Sequence, residues 1–212
     1  MKLSTNLKAL TAAAVLAVPA MAPTAVNAEV EYNANVSSMY LWRGQDVSQG
    51  PAISGGIDFT DKSGLYAKTW VSSGMTGDPA VGNGYEHDIW VGYAGKVGEF
   101  GYDISYWHID YPQTGADAGN ETAVDLSYKD YGLGVVSGDL GYLYTTLSAE
   151  FGKVAVKYGM KTDDANADYS HIDLSYKASD KLKFTLSQLS DDGALLSEEP
   201  LIVMSYDLPI GK

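Results

Sequence analysis

Cysteine is absent from the chain, arginine occurs once, at Arg43, and bases are outnumbered by acids, 14 to 27. Without cysteine, an exported chain must be held by packing and hydrogen bonds rather than by disulfides. So acidic a chain lacks the basic patches that nucleic-acid recognition requires, and nucleic acid is excluded as a partner. Past residue 28, no uninterrupted apolar run approaches the roughly 18 residues of a membrane-spanning helix. If the chain crosses a bilayer, it crosses as strands. No Pro- or Ser-rich linker divides the rest, and about 180 residues suit one domain, placed at 29–212.

Charge is scarce at the start. Lys2 and Lys8 are the only charged residues before Glu29, and the run 9–26 between them is apolar and Ala-rich. Pro19 and Pro23 interrupt it, and it closes on Val26-Asn27-Ala28, with small residues where a signal peptidase reads. A charged start, an apolar middle and a small-residue exit predict a secretory signal peptide over 1–28, cleaved after Ala28. Pro19 also opposes a stable spanning helix. Losing two lysines takes the net charge from −13 to −15.

What is abundant is alternation. Tyr32, Ala34, Val36, Tyr40 and Trp42 fall on one face of the stretch 31–43, with Asn33, Asn35, Ser37 and Arg43 on the other. Phe100, Tyr102, Ile104 and Tyr106 alternate with Gly101, Asp103 and Ser105. Leu182, Phe184 and Leu186 alternate with Lys183, Thr185 and Ser187. Successive side chains of a strand point to opposite faces, so each stretch predicts a strand with one apolar and one polar face. The enrichment in Tyr, Val, Thr and Trp agrees.

Short turn signals at 61–64, 96–99, 129–132, 151–153 and 177–180 alternate with longer connectors at 44–51, 75–84, 112–120, 161–168 and 190–200. The strands fall near 31–43, 52–60, 65–74, 85–95, 100–111, 121–129, 131–137, 143–150, 154–160, 169–177, 181–189 and 201–209. That is an all-β, up-and-down antiparallel meander of twelve strands, with ten as the alternative, because Val135-Val136 breaks the pattern within 131–144. An even count, short turns at one end and longer loops at the other predict a transmembrane barrel of the bacterial outer membrane. A soluble sandwich or lipocalin-like barrel would share the alternation with the apolar face turned inward. Polar faces mixing small residues with charges, and Tyr-rich apolar faces suited to a membrane boundary, favour the membrane. Lysines gather at the short turns and acids at the long connectors, which predicts an acidic outer rim.

Val36-Ser37-Ser38-Met39-Tyr40-Leu41-Trp42-Arg43-Gly44 and the following Gln45-Asp46-Val47-Ser48-Gln49-Gly50 resemble the first strand and loop of the TorF-family porins of proteobacteria. The segments Gly55-Gly56-Ile57-Asp58, Ser63-Gly64-Leu65-Tyr66-Ala67 and Thr69-Trp70-Val71-Ser72-Ser73 are similar to that family's second hairpin. The resemblance implies an outer-membrane barrel acting as a channel. The chain ends Leu208-Pro209-Ile210-Gly211-Lys212, without the terminal aromatic residue on which many outer-membrane barrels end.

The polar faces supply the candidate lumen and constriction residues: Arg43, Asp58, Lys68, Glu86, Asp88, Asp103, Asp125 and Asp173, joined by Lys129, Lys157 and Lys183. Rings of fixed charge set selectivity in narrow pores; the alternative is a salt-bridged plug with no path through. Arg43, read as the end of the first strand, either attracts anions at a constriction or bridges carboxylates such as Asp58 and Glu86, and the excess of acids favours the bridge. His108-Ile109-Asp110 and His171-Ile172-Asp173 each place an imidazole and a carboxylate on one strand face. No serine stands two residues beyond any histidine and no G-x-S-x-G elbow exists, so no enzyme is predicted. The loop 162–168 lacks the glycine and closing glutamate of a calcium loop, and no metal or cofactor is predicted. The expected function is passive diffusion of small hydrophilic solutes or ions with a cation preference, the alternative a closed structural or adhesive barrel. The expected partners are outer-membrane lipid and lipopolysaccharide, the barrel-assembly machinery and small solutes or ions, with homo-oligomerisation left open.

Overall fold

The structure, a computed structural model, describes residues 28–48, 50–76, 83–112, 118–164, 168–191 and 196–210. The predicted signal peptide lies outside them, Ala28 excepted. The chain opens with β1 (Ala28–Ser37), followed by two short strands, β2 (Leu41–Trp42) and β3 (Gln45–Asp46). Then come β4 (Ala52–Asp61), β5 (Leu65–Thr76), β6 (Asn83–Val97), β7 (Phe100–Asp110) and β8 (Gly119–Tyr128). The second half supplies β9 (Tyr131–Gly138), β10 (Tyr142–Phe151), β11 (Val154–Asp163), β12 (Tyr169–Lys177), β13 (Leu182–Asp191) and β14 (Leu201–Asp207). All but β2 and β3 pair antiparallel with their neighbours in sequence, and β1 meets both β4 and β14, so twelve strands close into one barrel. The expected count of twelve is right. The stretch 131–144, where Val135-Val136 breaks the alternation, holds β9 and the start of β10, joined by a tight turn in which Gly141 N–H donates to the Gly138 carbonyl.

The period of two decides what each face meets. Val30, Tyr32, Ile57, Val71, Ile89, Val91, Leu147, Ile172, Leu186 and Ile202 all point outward, and Ile202 is 69 % exposed. The buried residues are instead Ser72, Glu86, Asp88, Ser105, Glu121, His171, Thr185, Ser187 and Asp191, with a few apolar neighbours. Polar inside and apolar outside is the inverse of a soluble barrel, and only a hydrocarbon solvent makes it stable.

The outward aromatics have an order of their own. Phe59, Phe100, Tyr128, Tyr131, Phe151, Tyr176, Phe184 and Tyr206 are exposed beside the short turns or the end of β14. They form the girdle expected at one membrane–water boundary, with aliphatic residues above them. Tyr131 and Phe151 meet edge-on, centroids 6.5 Å apart. This is an outer-membrane barrel with its short turns gathered at one end, the end that faces the periplasm in bacterial barrels. Without residues 1–28 and refolded in detergent, the chain is expected to migrate faster unboiled than boiled on an SDS gel. Equal mobility would contradict a closed barrel.

Candidate channel lumen

Among the described residues, one segment leaves the wall. At Ser37 the first strand stops, Ser38 N–H still donating to the Met204 carbonyl, and the chain bends into the barrel. Leu41 and Trp42 then pair with Asp46 and Gln45 in a hairpin of its own. Its turn is Arg43 and Gly44, with φ of 49° and 85°. Two positive φ angles make the tight two-residue turn that matches strand twist, costly for arginine and easy for glycine. The neck is tied by Val47 N–H to the Tyr40 carbonyl at 3.0 Å and Tyr40 N–H to Ser48 Oγ at 2.7 Å.

The tip is docked against β8, β10 and β12. Arg43 Nη2 pairs with Glu121 Oε2 at 2.7 Å, both side chains buried, and Nη1 donates to Tyr142 Oη at 3.2 Å. Tyr142 Oη in turn donates to Glu121 Oε1. The guanidinium lies 4.6 Å from the Trp42 ring and 4.6 Å from the Tyr144 ring, so its flat faces are covered while its edge is ion-paired. Burial opposes its charge, and Glu121 more than offsets that, leaving the Arg43 pKa above its ordinary value. Gly44 rests on His171: a Cβ there would stand 2.6 Å from the His171 Cβ. Tyr40 at the neck donates to Glu86 Oε1 at 2.9 Å, and burial with the Glu86 charge pushes its phenol pKa far up.

This corrects the expected place of Arg43. It is not the end of the first wall strand, and its ion-pair partner is neither Asp58 nor Glu86. Asp58 faces Lys68 across β4 and β5 at 3.3 Å, and Glu86 receives Tyr40. Lys129 is also displaced: it sits in the β8–β9 turn, φ 54°, exposed and 3.6 Å from Glu99.

The other candidates occupy two levels. Glu86 and Asp88 are buried on β6 near the hairpin, and Asp88 Oδ1 has no hydrogen-bond partner among the described residues. Lower down, Asp103 accepts from Tyr66 Oη at 2.7 Å, and Asp125 faces inward on β8. Asp173 accepts from Ser187 Oγ at 2.7 Å and bonds His171 Nδ1 at 3.0 Å, while His171 Nε2 meets Tyr144 Oη at 2.8 Å. Serine, carboxylate and imidazole are thus in contact, but the serine donates to the carboxylate and the second ring nitrogen is taken by tyrosine. That wiring orients His171 under Gly44 and activates no nucleophile. His108 points outward, bonded to Asn120.

The hairpin divides the interior. Beneath it lies a cavity of about 570 Å³ lined by Trp42, Arg43, Trp107, Asp125, Lys157, Asp173 and Lys183. Above it is a smaller one of about 180 Å³ bounded by Arg43, Glu121, Tyr142, Lys161 and Tyr169. Trp42 and Arg43 line both. Sequence reasoning missed Glu121 and Tyr142, although both carry the inward parity of their strands, Glu121 four residues before Asp125.

Among solved structures, the fold is similar to the KdgM porin in complex with disordered oligogalacturonate, at TM-score 0.51 and 9 % identity over 84 % of this chain and 96 % of that one. Outer membrane phospholipase A from Escherichia coli is also similar, at TM-score 0.47 and 11 % identity over 83 % of this chain and 93 % of that one. No curated protein matches the sequence. A family model described as "Bacterial protein of unknown function (Gcw_chp)" matches residues 21–188, so the chain belongs to the Gcw_chp family.

Proposed function

We propose that the protein is a porin-like channel for passive diffusion of small hydrophilic solutes or ions, in keeping with its resemblance to TorF-family porins. The observation that carries this reading is the polar cavity of about 570 Å³ beneath the hairpin, in a barrel whose interior, among the described residues, is divided by that inserted segment. On this reading Arg43 and Glu121 set the constriction, with Glu86 and Asp88 beside it. Asp58, Lys68, Asp103, Asp125 and Asp173 line the path below, and no reaction takes place. Acids at the loop end, among them Asp46, Asp191, Glu198 and Glu199, give that mouth a negative potential. Over a Debye length of roughly 8 Å such a mouth concentrates cations, so small-ion flow leans toward them. Outer-membrane lipid and lipopolysaccharide surround the apolar band, and the barrel-assembly machinery inserts it.

The buried Arg43–Glu121 pair favours a second reading, a closed structural barrel in which the docked hairpin is a permanent plug. Liposome swelling separates the two. Proteoliposomes in isotonic arabinose are expected to swell, and those in raffinose to swell much more slowly, because the constriction passes only small solutes. No swelling with either sugar would favour the closed barrel.

A further inference from the structure

Several carboxylates of the lumen are held at short range, whereas three lysines have no carboxylate within ion-pair distance among the described residues, Lys157 acting on Asp125 and Asp173 only from farther off. Asp58 is paired with Lys68, Asp103 is held by Tyr66, and Asp173 by His171 and Ser187. On the opposite wall, Lys157 of β11, Lys177 of β12 and Lys183 of β13 point inward at the periplasmic end and line a further cavity of about 260 Å³. Among the described residues no carboxylate lies within 4 Å ion-pair distance of any of the three. Glu150 and Asp173 share the cavity lining without pairing to them.

The register adds a second observation. Lys177 and Lys183 stand directly opposite each other across β12 and β13, on the same inward face. Like charges at directly opposed positions destabilise a strand pair. Here the pair is retained inside a chain of net charge −13, where acids are plentiful and lysine is scarce. Hydroxyls stand just above: Ser175 and Thr185, the next inward positions on the same two strands, bond each other at 2.9 Å. Two or three ammonium groups and nearby hydroxyls around an open recess are what a multivalent oxyanion needs, because each ammonium contributes a charge-assisted hydrogen bond.

We infer that the Lys157–Lys177–Lys183 wall is a binding site for small polycarboxylate or phosphate-bearing solutes at the periplasmic end of the lumen. The inference deepens the channel reading and rests on it for its role in transport, but the site binds whether or not the barrel conducts. A bound anion removes the Lys177–Lys183 repulsion, so occupancy also stabilises the β12–β13 hairpin.

Citrate is the probe. Titrated by calorimetry into the detergent-refolded chain without residues 1–28, it is expected to bind, and more weakly as KCl rises. The double variant Lys177→Gln/Lys183→Gln should bind about tenfold more weakly or worse, two charge-assisted contacts being lost. The variant should also unfold at a higher urea concentration than the parent when citrate is absent. Lys62→Gln, in the β4–β5 turn, should leave citrate affinity unchanged. Affinity unaffected by the double substitution, or no citrate binding by the parent, would overturn the inference. Citrate binding in a barrel that neither swells liposomes nor conducts would leave the site standing and sink the channel reading alone.

Discussion

Arg43→Ala is expected to lower the urea midpoint of the folded barrel well below that of Lys62→Ala. The alanine leaves Glu121 buried without its partner and strips the cation from between the Trp42 and Tyr144 rings. Breaking a buried ion pair by removing one member costs about 3–5 kcal/mol, because the remaining charge stays desolvated, whereas an exposed turn lysine contributes within about 1 kcal/mol. Arg43→Lys should recover only part of the loss: one ammonium cannot meet both Glu121 and Tyr142 along a flat edge while stacking on two rings. Tryptophan fluorescence should shift to the red in the alanine variant as Trp42 is released toward lumen water. Equal midpoints for Arg43→Ala and Lys62→Ala would show that the docked tip adds nothing to stability.

The wall of the barrel was legible because a strand between lipid and water must alternate, and a period of two survives in any single strand. That is why the faces of β4 to β8 and β10 to β14 could be assigned from Ile57 beside Asp58 or Phe184 beside Lys183 without any knowledge of partners. The same rule misled at β1. Tyr40, Leu41, Trp42 and Arg43 continue the alternation past Ser37, so periodicity alone extends the strand to Arg43. In the structure that second stretch is a hairpin inside the lumen, and its pattern reflects burial against Trp70, Tyr144 and His171 rather than lipid. Nothing local distinguishes the two. The turn signal was present in Arg43-Gly44, but a left-handed arginine is uncommon enough that the sequence did not announce it.

The site was less legible than the wall, for a different reason. Parity names the residues that face inward, and it placed Glu86, Asp88, Asp103, Asp125 and Asp173 together with Lys157 and Lys183. Pairing across the lumen depends on barrel closure and loop insertion, which no local window encodes. Arg43 and Glu121 lie 78 positions apart. Lys177 opposite Lys183 was within reach, since the short turn 178–181 fixes the register of that hairpin, and the like-charge conflict is readable once the register is set.

The hairpin carries the largest functional expectation. Replacing residues 39–48 by a short Gly-Ser linker removes Tyr40, Trp42 and Arg43 from the lumen and merges the cavities of about 570 Å³ and 180 Å³. The wall should survive, because β1 keeps its ten-residue pairing with β4 and its contacts with β14. A pore whose resistance sits at one narrow point gains most when that point is removed, so its conductance should rise severalfold and its permeant size limit should rise with it.

Single-channel recording in planar bilayers, comparing the parent barrel with the hairpin-replaced one at equal KCl, is therefore the most direct measurement. The expected result is small, discrete conductance steps for the parent and steps severalfold larger for the variant. Equal steps in the two would mean that the hairpin is not the constriction, and silence from both, with heat-modifiable barrels on the gel, would contradict a channel altogether.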